Sequence, residues 1–126
     1  MALEWPDPHA AWTAAAILDE QAVAVAISHS GATADTVDYL RLAARSGATT
    51  IAITNHAEST LASSADIVLQ TSARETAFRS GALGSRIAQL MVVDCLFIGV
   101  AQVDSEASIG ALQRTFDAVR ERRSTE

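Results

Sequence analysis

Residues 22–33 read AVAVAISHSGAT. The first six positions are apolar without a break, and the run is too short for a helix. An apolar stretch that does not alternate, rich in Val and Ile, is the pattern of a strand buried on both faces of a parallel sheet. Two runs of the same kind follow, TTIAI at 49–53 and IVLQ at 67–70. Between the first two, Val37, Leu40 and Ala44 recur at helical spacing and stop at Gly47, a natural C-terminal signal. A shorter helix is predicted after Ser59. Strand, helix, strand, short helix, strand gives a right-handed series of parallel crossovers with helices on both faces. The fold class is therefore α/β, a Rossmann-like three-layer arrangement with a parallel sheet.

The flanks are helical. Asp7 and Pro8 make an N-cap and first helical position before HAAWTAAAILDE. After the third strand a long helical pattern runs from 74 to about 102, and its second half is apolar nearly all round. Such a helix is either buried or packed against another chain. A last helix, about 105–121, carries the stripe Ile109, Leu112, Phe116 and Val119. No linker, repeat or low-complexity segment interrupts the chain, so residues 1–126 read as one domain.

Composition narrows the function classes. At 126 residues, 49% hydrophobic and 19% charged, the chain can bury a core without disulfides or a structural metal. A net charge of −6 argues against coating nucleic acid, which needs basic surface. One cysteine, Cys95, fits a reducing cytoplasm. The N-terminal MALEWPDPHA has neither a basic region nor an apolar one, so nothing suggests secretion. No run of about 18 uncharged apolar residues points to a membrane.

In open parallel sheets, ligands bind beyond the carboxyl ends of the strands. Those ends are Ser28-His29-Ser30-Gly31-Ala32-Thr33, then Thr54-Asn55-His56, then Thr71-Ser72. All three deliver small hydroxyl or amide groups to one rim. The first has the physics of a phosphate cradle. Gly31 permits a tight turn and close backbone approach. The amides of the following helix start carry partial positive charge. Ser28, Ser30 and Thr33 add hydroxyls. The plainer alternative is that Ser30 or Thr33 simply caps the helix.

These residues resemble a known family. AVAVAISHSGATADTV, TTIAITN and ADIVLQTSARETAFRSGALGSRIAQLMVVDCLF are similar to the SIS (sugar isomerase) phosphosugar-binding domain, closest to the effector domain of RpiR/MurR-type transcriptional regulators. The resemblance is strongest over 23–102. It implies a dimerising, non-catalytic domain that binds a phosphorylated sugar and needs no cofactor. Ser28, His29, Ser30, Gly31 and Thr33 would then surround the phosphate, and Thr71, Ser72 and Glu75 would face the sugar. The segment before residue 22 resembles the part of the family that follows its second strand. The expected sheet therefore lacks the family's first strand, loop and helix, and the chain lacks the helix-turn-helix of the regulators. Either it is part of something longer, or a partner replaces the missing unit. Without a helix-turn-helix, the chain is not expected to bind DNA itself.

Individual residues carry alternatives. Glu75 is the general base if the domain is an aldose–ketose isomerase for sugar phosphates. However, Ser72-Ala73-Arg74-Glu75 is also a capping box, and Glu75 and Arg79 are spaced as a helical ion pair. A third reading is a reduced SIS domain acting only in oligomerisation. His29 lies between two serines, but no carboxylate is placed to orient it for nucleophilic catalysis. His9, His29, His56 and Cys95 show no metal-ligand spacing. Cys95 is expected to pack as a small hydrophobe, and Trp5 and Trp12 as packing anchors. Arg79 and Arg86 share a helix face, available to an anion, a partner or solvent. An open edge on the first strand, together with the apolar long helix, predicts a homodimer or higher oligomer.

Overall fold

The computed structural model describes residues 2–74 and 84–123. Its elements are α1 (Pro8–Ala15), β1 (Val23–Ile27), α2 (Ala34–Arg45), β2 (Thr49–Thr54), a 3-10 turn (Ala62–Ser64), β3 (Ile67–Gln70), α3 (Gly84–Val103) and α4 (Ser105–Arg123). Contacts divide the chain into two compact units, Met1–Val92 and Val93–Glu126.

In the first unit, three parallel strands lie in the order β1-β2-β3. The register sets Ala24 beside Thr50, Ala26 beside Ala52, Val25 beside Ile51 and Ile27 beside Ile53. One face of the sheet is thus lined by small side chains, the other by large branched ones. Helix α2 packs on the small face, where Val37, Leu40 and Ala43 join Ala24, Ala26, Ala52 and Leu61 in the core. This alanine-floored face lets a helix sit close.

Helix α1 starts as the sequence predicts. Asp7 is its N-cap and accepts a 2.8 Å hydrogen bond from the Ala10 N–H, with Pro8 in the first helical position. It stops at Ala15, not near residue 20. There Ile17 and Leu18 donate to the Ala14 and Ala15 carbonyls in a tighter turn. Asp19 then accepts from the Gln21 N–H and turns the chain into β1. Helix α2 ends as expected at Gly47, whose φ is +99°. The Gly47 N–H donates to the Ala44 carbonyl and the Ala48 N–H to the Ala43 carbonyl, the paired bonds of a Schellman motif.

Three expectations need correction. The buried stripe of α2 is Val37, Leu40 and Ala43, and Ala44 is exposed. Only β2 is largely buried on both faces. Val23, Val25 and Ile27 of β1, and Ile67 of β3, remain exposed on the large-residue face. Cys95, Trp5 and Trp12 are exposed and do not act as core packing.

The long helical pattern is described as α3 from Gly84, where Arg86 is exposed. The part of the pattern over 75–83, with Glu75 and Arg79, lies outside the described residues. Helix α3 is long and apolar enough, by length and composition, to cross a membrane, although it carries Arg86 and Asp94. In α4 the predicted stripe Ile109, Leu112, Phe116 and Val119 is present and exposed.

Candidate functional site

The three strand ends are knitted into one rim by backbone hydrogen bonds. The Ser28 N–H donates to the Ile53 carbonyl at 3.0 Å, the Asn55 N–H to the His29 carbonyl at 3.1 Å, and the Thr71 N–H to the Thr54 carbonyl at 2.9 Å. The parallel ladder therefore continues past each strand and holds the three hydroxyl- and amide-bearing segments side by side. Ser28, Thr54 and Thr71 are all buried there.

The Ser28–Thr33 loop is closed on itself. The Gly31 N–H donates to both Ser28 Oγ (3.1 Å) and the Ser28 carbonyl (3.2 Å). Gly31 takes φ +63°, in the left-handed region where a side chain is strained. A Cβ there would also overlap Ser59 Oγ and Cβ. The loop is pinned from outside, because the Leu61 N–H donates to the Gly31 carbonyl at 2.9 Å. The segment after β2 thus fits directly into the space that glycine leaves.

Ser28 Oγ and Thr33 Oγ1 lie 2.9 Å apart. Two hydroxyls hold two protons, and their mutual bond uses one of them. Ser28 Oγ already accepts from Gly31, so the pair keeps one O–H free to donate outward whichever way it is oriented. Thr33 is the N-cap of α2 by position, yet its side chain caps no N–H of the helix. Ser30 Oγ accepts from the Ala32 N–H at 3.2 Å, short of the helix proper. The capping alternative is therefore corrected: neither hydroxyl satisfies the first turn of α2. Its N–H groups retain the partial positive charge that suits an anion.

His29 and His56 meet edge to face, with ring centroids 5.7 Å apart. His29 Nδ1 is enclosed without a hydrogen-bond partner. The Ser28 and Ser30 hydroxyls bond to Thr33 and Ala32, so no serine–histidine nucleophile pair forms among the described residues.

At the third strand end, Thr71 Oγ1 donates to Asn55 Oδ1 at 3.2 Å, and Ser72 is exposed beside it. Glu75 lies outside the described residues. Asn55 also accepts a 2.7 Å bond from the Ala73 N–H, which ties the second strand end to the third. Asn55, placed at the rim by the sequence but given no role, and Ser59, not placed there at all, both hold this rim together. Asn55 could have been found as the amide side chain directly after β2. No local signal marks Ser59, because its role depends on a glycine 28 positions earlier. Among the described residues, no group of three or more His, Cys, Asp or Glu could hold a metal ion.

Comparison with known proteins agrees with this geometry. The SIS domain family model matches residues 2–99. The chain is 43% identical over 119 residues to an uncharacterized HTH-type transcriptional regulator of Caldanaerobacter subterraneus, a match covering 94% of this chain and 42% of that protein. Among solved structures, the Vibrio vulnificus NanR protein complexed with ManNAc-6P superposes with a TM-score of 0.85 at 25% identity, covering 95% of this chain and 45% of that one. The sugar isomerase domain of an RpiR transcription factor from Sphaerobacter thermophilus shares the fold, with a TM-score of 0.74 at 24% identity over 92% of this chain and 62% of that one. The chain thus spans less than half the length of that regulator and of NanR. A family match over most of the sequence, on a parallel sheet with its polar rim at the strand ends, makes this chain a member of the SIS domain family, with HTH-type transcriptional regulators among its relatives.

Proposed function

We propose that this chain is the phosphosugar-sensing part of an RpiR-type transcriptional regulator, binding its ligand without turning it over. The observation that carries the reading is the Ser28–Thr33 loop. Its glycine is locked at positive φ, one hydroxyl proton is free, and the first turn of α2 is uncapped. Such a site holds a phosphate through neutral donors, and Ser28, His29, Ser30, Gly31 and Thr33 form its wall. Thr71, Ser72 and Glu75 are assigned to the sugar. The NanR neighbour, with ManNAc-6P bound, supports a phosphorylated sugar as the ligand class.

The partner in this reading is a second copy of the chain. Exposed apolar side chains on α3 (Ile87, Leu90, Phe97) and the α4 stripe are unusual for a monomer surface and suit protein contact. Arg86 and Asp94 within α3, and the regulator relatives, favour a protein partner over a lipid one. The chain is assigned to the cytoplasm.

The test is a panel of sugar phosphates, ManNAc-6P among them, read by thermal shift. A ligand at a hundred times its dissociation constant adds about 2.7 kcal/mol of stability. Stabilisation by a sugar phosphate, but not by the parent sugar, is the expected result. No shift across the panel at millimolar concentration would leave oligomerisation as the remaining role.

A further inference from the structure

Asn55 stands where the phosphate loop and the sugar side of the rim meet. Its backbone N–H holds the His29 carbonyl. Its side-chain Oδ1 accepts from the Thr71 hydroxyl and from the Ala73 N–H. The Ala73 N–H can only donate, so the atom facing it must be the amide oxygen. That fixes which end of the side chain is which. Nδ2 then makes no hydrogen bond among the described residues, and it is not among the enclosed unpartnered atoms. Asn55 itself is half-buried. Two N–H donors on a side chain clamped at its other end are therefore left open at the rim.

We propose that Asn55 is a specificity-determining residue of this site, its Nδ2 donating to an acceptor oxygen on the sugar portion of the bound phosphosugar. The proposal rests on the phosphosugar reading and adds to it a fixed donor between phosphate and sugar. A donor that cannot rotate away selects for an acceptor at one place on the sugar, because leaving it unpaired in the closed complex is costly. Rotation is blocked by two bonds reaching 16 and 18 residues along the chain, which connect β2 to the segment after β3.

The experiment uses Asn55→Asp, which keeps the oxygen that Thr71 and Ala73 require and replaces the donors by an acceptor. Affinities for inorganic phosphate and for a sugar phosphate that the wild-type chain binds are measured on both proteins, with melting temperatures alongside. The expected result is a loss for the sugar phosphate about tenfold larger than for inorganic phosphate, at an unchanged melting temperature. A new negative charge acting only through space would weaken both ligands by the same factor, and that equality would overturn the proposal. So would undiminished affinity for the sugar phosphate. Should the variant fail to fold, the wild-type Asn55 side-chain amide resonances decide. They shift with the sugar phosphate and not with inorganic phosphate if the assignment is right, and respond to neither or to both alike if it is wrong. A wild-type chain that binds no sugar phosphate at all overturns the phosphosugar reading itself, and the Asn55 proposal with it.

Discussion

Gly31 carries two independent constraints, a left-handed backbone and a filled space where a Cβ would go. The first alone costs about 1–2 kcal/mol for most other residues, alanine included. Gly31→Ala is therefore expected to lower the melting temperature by several degrees and to abolish phosphate binding, because Ser59 and the loop can no longer interlock. Calorimetry with ligand titration checks both. A variant with wild-type affinity would show that the loop is not the cradle. Asp66 offers a second test, away from the site. Its carboxylate accepts from the Thr50 N–H at 2.8 Å and the Thr50 hydroxyl at 2.7 Å. Those bonds, the backbone one first, hold its pKa below the ordinary value. A carboxyl depressed on folding contributes stability above its unfolded pKa of about 3.9, and the contribution is lost as pH falls through the folded value. The melting-temperature difference between wild type and Asp66→Asn should be constant above about pH 5 and shrink below about pH 4. A difference that stays flat through acid would contradict the assignment. At this scale the sequence revealed the loop chemistry but not the cross-connections. Ser28, Gly31 and Thr33 sit within six positions, while the partners of Asn55 and Asp66 lie some 16 residues away. Pairings at that distance exist only once the sheet register is set.

At the scale of elements, apolar runs located all three strands but misjudged two of their faces. AVAVAI reads as uniformly apolar, yet the alternation that matters is of size. Ala24 and Ala26 accept α2, while Val23, Val25 and Ile27 turn to the other face and remain exposed. The same register explains α2. Ala43 and not Ala44 closes its buried stripe: Val37, Leu40 and Ala43 lie along an oblique i, i+3 ridge that packs on the alanine floor. Leu40 is fully buried at the centre of this contact. Leu40→Ala should destabilise the chain by about 2–5 kcal/mol in denaturant unfolding. A loss under 1 kcal/mol would mean that α2 is not the helix anchoring the sheet. Helix α1 ends earlier than its sequence suggests, because Asp19, which turns the chain by accepting from Gln21, looks like an ordinary polar helix position in the sequence.

For the whole molecule, the family match and the polar rim agree, and the exposed apolar helices add a claim about assembly. Two charges in the α4 stripe, Leu112→Glu with Phe116→Glu, should shift the chain towards monomer in light scattering at micromolar concentration while leaving its secondary structure intact. A wild-type chain that is already monomeric there would overturn the proposed homodimer. The proposed function, however, depends on phosphate recognition at the strand ends. It is tested most directly by titration calorimetry of the wild-type chain and of Ser28→Ala against the sugar-phosphate panel. Saturable binding of at least one sugar phosphate, one per chain, is expected, weakened about tenfold or more when the Ser28 hydroxyl and its bonds to Thr33 and Gly31 are removed. Flat titrations for every member of the panel, or binding that Ser28→Ala leaves unchanged, would contradict it.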